Sequence, residues 1–263
     1  MKPKTPHSIF FSPTGTSRAA VRAVSRGFGG TEAELDLTKN GSIEQFIFSE
    51  EDLAVIGMPV YGGRLPTVAV ERFKSLEGNG TPAVAIVVYG NRAYEDALVE
   101  LYDLCAAQGF KVLSAAAFVG QHSFSSKELP IAHGRPDRKD IDLAEKFGVQ
   151  IKELLKNGRF LNIEKVPGNR PCKPAMQPSA AATATDPETC RQCGACVAAC
   201  PVQIIEMVDG MPQTRQDGCI WCMACVQRCP TSARHIAMDK LHESARHLHE
   251  TLKTRREPEF FQP

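Results

Sequence analysis

"CRQCGACVAACP" (190–201) and "CIWCMACVQRCP" (219–230) are one pattern written twice, 29 residues apart. Cys190, Cys193, Cys196 and Cys200 map onto Cys219, Cys222, Cys225 and Cys229, and each run closes on a proline, Pro201 or Pro230. A repeat of this kind means two similar half-units sharing one core. Eight of the ten cysteines stand in these runs. In a reducing compartment such crowding marks metal ligands and not disulfides. Zinc would want two pairs separated by a longer loop. Here three thiolates follow one another at successive intervals of three, close enough to grip one face of a larger body.

At 263 residues the chain has room for one large domain and one small one, taking roughly 100 to 200 residues per domain. A hydrophobic content of 43% and a charged content of 23% suit a soluble globular protein with a buried core. The formal net charge of +1 leaves no electrostatic footprint for nucleic acid, which is excluded as an expected partner. No apolar run reaches the roughly 20 residues of a membrane span. The opening "MKPKTPHSIFFSP" lacks the apolar stretch of a signal peptide, so the expected location is cytoplasmic.

Ahead of the cysteine runs, short apolar stretches alternate with amphipathic ones. Residues 7–11, 33–37, 53–57, 83–89 and 111–119 read as strands, and 16–26, 66–76, 94–107 and 140–156 as helices; 38–52 is ambiguous. That alternation predicts an α/β fold with a five-stranded parallel sheet of flavodoxin-like order 2-1-3-4-5. Ligands in such a sheet bind beyond the carboxyl ends of the strands, near the switch between strands one and three. The loops there are "SPTGTS" (12–17), "MPVYGGRLP" (58–66) and "YGNRAYEDAL" (89–98). The hydroxyls of the first loop, with Gly15 for the turn, suit either an anion at a helix start or a plain helix N-cap. The tyrosines of the other two suit either a ligand wall or half-buried loop anchors. A fourth loop, 120–140, is long for such a fold, and its His122, Ser123, His133 and Arg135 are candidates to meet a ligand or a second domain.

"SPTGTS" after the first strand resembles the flavodoxin phosphate loop, and the two tyrosine–glycine loops resemble those that sandwich the ring of FMN. The resemblance implies that Ser12, Thr14, Gly15, Thr16 and Ser17 hold the phosphate. It further implies that Pro59, Val60, Tyr61, Gly62 and Gly63 lie against the flavin ring, with Tyr89, Gly90, Asn91 and Tyr94 as the other wall. Flavodoxins often place a tryptophan beside the ring; the only one here, Trp221, belongs to the cysteine-rich part.

From 165 to 187 the chain is rich in Pro, Ala, Thr and Ser and reads as a linker, semi-rigid at its proline-rich start. It separates an N-terminal domain, 1–164, from a second one, 188–238. C-x2-C-x2-C-x3-C-P, present twice, resembles the signature of two-cluster bacterial ferredoxins, which implies a small α+β domain with two 4Fe-4S clusters. In that family the fourth cysteine of each run crosses over. One cluster would take Cys190, Cys193, Cys196 and Cys229, the other Cys219, Cys222, Cys225 and Cys200. Beyond it, 239–263 reads as a C-terminal helix and tail, the helical pattern running back to His235, with His235, His242, His247 and His249 forming a solvated or docking face.

Together the two resemblances point to the flavodoxin–ferredoxin fusions of anaerobic bacteria and archaea. They imply electron transfer between FMN, two 4Fe-4S clusters and other redox proteins as partners. The alternative is an oxidoreductase whose FMN reduces a small-molecule substrate held under the loop 121–137. The sequence sets no acid, base or nucleophile beside the flavin, which favours the carrier.

Overall fold

Central strands that read as unbroken apolar runs belong inside a parallel sheet covered on both faces. In a computed structural model, which describes residues 5–39, 45–157, 163 and 165–263, this is their position. Residues 1–4 and the domain boundary expected at 164 lie outside the described residues. The first module comprises β1 (His7–Phe10), α1 (Thr16–Phe28), β2 (Glu34–Asp36), β3 (Phe46–Ile47), β4 (Ala54–Pro59) and α2 (Thr67–Phe73). It continues through β5 (Leu76–Glu77), β6 (Pro82–Tyr89), α3 (Ala97–Ala107), β7 (Lys111–Val119) and α4 (Arg138–Lys156). Every residue of β4 and β6 is buried. The main parallel strands β2, β1, β4, β6 and β7 stand in the order 2-1-3-4-5, as predicted for a flavodoxin-like sheet.

On one face, Ala20, Val21, Val24 and Phe28 of α1 and Ala144, Phe147, Ile151 and Leu155 of α4, set at helical spacing, bury against Phe10, Val55 and Ile86. The two helices cross closely because Gly27 and Gly148 meet at the crossing; a Cβ on either would overlap the other helix's backbone. Asp137 and Asp140 form a reciprocal capping box that starts α4 and ends the long loop.

The second module comprises β8 (Thr183–Thr185), α5 (Ala195–Ala199), β9 (Ile205–Val208), β10 (Met211–Thr214), α6 (Ala224–Gln227) and β11 (Arg234–Ile236). Antiparallel pairs β9/β10 and β8/β11 flank the two short helices. The 29-residue repeat extends to the backbone: left-handed Gln192, Gly194 and Gln203 recur as Trp221, Met223 and Ser232. After it come α7 (Asp239–Thr251) and β12 (Glu259–Phe261).

The structure corrects four expectations. The sheet has a sixth strand, because β12 pairs antiparallel with Ala115–Ala117 of β7 and seats Phe260 against Phe118 and Phe147. A bare edge is thereby covered. The stretch 165–187 is not a free linker. Asp96 accepts from the backbone N–H of Asn169 (2.9 Å) and of Lys173 (2.8 Å), and Arg170 pairs with Asp103. Its far end, Thr183–Thr185, is a strand of the second module. Finally, His235 and Ile236 lie in β11 and not in the terminal helix.

The modules share one core. Ile220, Cys222 and Ala224 are buried in the same cluster as Ile56, Phe73 and Leu98. Arg72 adds a polar tie, donating to the carbonyls of Leu37 (2.8 Å) and Pro201 (2.5 Å). No helix among the described residues is long and apolar enough to cross a membrane.

Candidate functional site

Helix α1 begins at Thr16 on Gly15, whose φ of 91° is the left-handed turn that glycine takes without a Cβ penalty. Gly15 has no side chain to cap the helix and the first turn holds no acidic residue, so no carboxylate offsets the positive end of its dipole there. The Ser12 hydroxyl accepts from the backbone N–H of Arg18 in that first turn (3.0 Å), a capping contact as the N-cap reading expects, and its own N–H donates to Thr38 Oγ1 (2.6 Å). The Ser17 hydroxyl is buried without a partner. Thr14 and Thr16 line a narrow cavity with Tyr89, Gly90 and Gly120. A Cβ on Gly90 would overlap the His122 ring, and one on Gly120 would press on Thr16. A helix start beside threonine hydroxyls and the unpartnered Ser17 hydroxyl suits a phosphate.

Val60, Tyr61, His122 and Ser123 border both this cavity and a larger one of about 320 Å³. The larger space is closed on its far side by Met176, Trp221, Leu241 and Leu248. Gly62 (φ 59°) and Gly63 (φ 83°) make the turn that lets Tyr61 and Arg64 pair through their backbones, and Glu100 fixes that turn by accepting from Arg64 and from the N–H of Leu65 (2.8 Å). Burial raises the Tyr61 phenol well above its ordinary pKa, and Cys222 is close enough to add to the shift. Burial, and then Arg92, lowers His122 to about 4, so its ring is neutral at physiological pH.

Of the residues expected to wall the ring, Pro59, Val60, Tyr61, Gly62, Tyr89 and Gly90 line these cavities. Gly63 packs on Glu95 and Lys173. Asn91 and Tyr94 turn to the C-terminal tail: Tyr94 donates to Glu259 (2.9 Å), and Asn91 donates to Leu252 and Thr254. Ser12 and Gly15 face a neighbouring groove between the modules, about 950 Å³ in volume, that reaches Cys200 and Arg228. In the long loop, Arg135 is buried in an ion pair with Asp140.

Cys200, Cys219, Cys222 and Cys225 border one small cavity, closed by Thr183, Ile204, Ile220 and Met223. The last cysteine of the first run thus stands with the first three of the second. Cys196 and Cys225 are buried side by side with Ile204 and Ile205, Cys190 and Cys229 are half-buried, and Cys193 is exposed. All ten cysteines are free of disulfides. Among the described residues no group of three His, Cys, Asp or Glu closes on a single-ion site. Residues 183–230 match the 4Fe-4S dicluster domain.

That match covers all eight repeat cysteines and begins at β8, so the dicluster domain includes the strand read from sequence as linker. No curated protein matches the chain. Among solved structures, a flavodoxin from the domain Archaea is 14% identical with a TM-score of 0.39, covering 57% of this chain and 98% of its own. Oxidised Flavodoxin 1 from Bacillus cereus is 16% identical at 0.40, covering 57% and 98%. The rubredoxin oxygen:oxidoreductase from Desulfovibrio gigas is 13% identical at 0.39, covering 59% and 37%. The fold assignment of the first module rests on its sheet order.

Two residues at the dicluster domain carry weight that sequence reasoning missed. Arg234 is buried and donates to Thr183, Thr185 (2.7 Å) and Thr214 (2.7 Å), with Cys225 Sγ 3.9 Å away. Trp221 lines the larger cavity of the other module. The signal for Trp221 was its standing as the only tryptophan, inside a metal-binding repeat.

Proposed function

We propose that the chain is a flavo-iron–sulfur electron-transfer protein, with an FMN module over 1–164 and a dicluster module entering the fold at Thr183. Ser12, Thr14, Gly15, Thr16 and Ser17 hold the FMN phosphate at the start of α1, and Pro59, Val60, Tyr61, Gly62, Tyr89 and Gly90 hold the ring. Cys190, Cys193, Cys196 and Cys229 hold one 4Fe-4S cluster; Cys219, Cys222, Cys225 and Cys200 hold the other. What supports the fit is the orphaned Ser17 hydroxyl, the glycine-floored cavity beside Thr14 and Thr16, and the void ringed by four cysteines.

One observation carries the reading: Tyr61, a wall of the larger cavity, and Cys222, a ligand in the second run, belong to one packed core. The two sites therefore adjoin. When bound, FMN supplies a centre that exchanges electrons singly or in pairs, and the clusters supply one-electron carriers. Other redox proteins are the partners, reaching the exposed Cys193 end, in a reducing compartment such as the cytoplasm. Anaerobic purification followed by iron, sulfide and flavin analysis tests this. The expected result is iron and sulfide for two clusters and one FMN per chain; FAD as the released flavin, or iron for fewer clusters, contradicts it.

A second reading has one observation in its favour. Arg92, His122 and His247 converge on the larger cavity, as a site for a small anionic acceptor would require. Turnover of such an acceptor by the reduced protein alone, with no partner protein present, would support a reductase.

A further inference from the structure

We infer that Trp221, supplied by the dicluster domain, forms the outer wall of the flavin-ring compartment, so that FMN binding depends on the docked dicluster domain. This rests on reading the 320 Å³ cavity as that compartment.

Val60, Tyr61 and Gly62 of the first module bound the cavity on one side, and Trp221 with Leu241 and Leu248 bounds it on the other. Neither module alone encloses it. A flat aromatic wall suits a flat ring, by stacking or edge contact.

The internal repeat separates what the cysteine loop needs from what the indole adds. Trp221 has a φ of 55°, rare for a bulky side chain, and its counterpart Gln192 has the same φ of 55°. The left-handed backbone is therefore a property of the C-x2-C loop in both halves. The indole is not: in the first half the position carries an exposed Gln192 whose amide lies by Met211 Sδ at 3.6 Å. The tryptophan stands in the half whose Ile220, Cys222 and Ala224 are buried in the first module's core.

The indole is also fixed. Its Nε1–H donates to the carbonyl of Ala180 at 3.1 Å, and Lys240 Nζ stands 4.9 Å from the ring centroid. A pre-positioned wall loses little freedom when a ligand arrives. Because the indole sits between Cys219 and Cys222, loss of that cluster unsettles it, and linkage makes the effect reciprocal: bound FMN strengthens docking of the dicluster domain.

The test uses the full chain, anaerobic and with both clusters loaded, depleted of flavin and titrated with FMN. Trp221→Ala should weaken FMN binding on the order of tenfold. Trp221→Phe should lose less and shift the visible circular dichroism of the bound flavin, while Gln192→Ala should bind like the parent. Parent-like affinity in Trp221→Ala with its iron content intact overturns the inference and leaves the flavin reading standing. If Trp221→Ala fails to hold its clusters, Trp221→Phe decides, and unchanged affinity with unchanged dichroism overturns it. A parent protein that binds no FMN overturns the flavin reading itself, and the inference with it.

Discussion

The side-chain amide of Asn91 donates to the carbonyls of Leu252 at 3.0 Å and Thr254 at 2.9 Å, and its Oδ1 accepts from the N–H of Arg256 at 3.2 Å. One buried side chain thus satisfies three backbone groups of the tail that leads into β12. Asn91 can do so because asparagine tolerates the left-handed φ of 65° that turns its loop. Asn91→Asp keeps that tolerance but loses both donors and sets a carboxylate against two carbonyls. The expected loss is about 2 kcal/mol or more in urea denaturation, with faster tryptic cutting at Arg255 and Arg256. Unchanged stability and unchanged cutting would contradict the latch.

Arg234 places a buried cation 3.9 Å from Cys225, and no carboxylate among the described residues pairs with it. A nearby positive charge favours the more negative, reduced form of a cluster. Arg234→Met should lower a cluster potential by tens of millivolts in a spectroscopically monitored redox titration. A potential that rises or stays put would show that Arg234 serves only the threonines it binds.

Cys200 is expected to complete the second cluster, since it shares a cavity with Cys219, Cys222 and Cys225. Cys200→Ala should therefore remove or convert the cluster next to the flavin cavity while the one held by Cys190, Cys193 and Cys196 persists. Loss confined to the cluster of the first run would refute the crossing.

His122 is held to about 4 against an ordinary 6.5, chiefly by burial and secondly by Arg92. Between those values the unfolded chain takes up a proton that the folded one does not, so this group lowers stability as pH falls through the window. From roughly pH 7.5 to 5.5 the loss should be on the order of 1 kcal/mol, and His122→Asn should remove it. Parallel pH dependences of the unfolding midpoints in parent and variant would rule out a buried neutral ring.

The sheet was legible because β4 and β6, covered on both faces, read as unbroken apolar runs, and α1 and α4 carry apolar residues at helical spacing. The dicluster domain was legible because the spacing of its cysteines is local. What was not legible depends on partners far along the chain. Three-residue strands such as β8 and β12 carry no period, and β12 exists because β7 has an open edge and Asn91 holds the tail. Arg72 reads as a solvated helix residue until its carbonyl partners at Leu37 and Pro201 are seen. Trp221 reads as a spacer between cysteines until the first module's cavity is set against it.

If flavin and clusters exchange electrons inside one docked body, the exchange needs no encounter between molecules. Rapid anaerobic reduction of the clusters, followed at the flavin absorbance over a roughly tenfold range of protein concentration, measures this directly. The shared core of Tyr61 and Cys222 predicts a single phase whose rate constant does not change across the range. A rate that rises in proportion to protein concentration would contradict it.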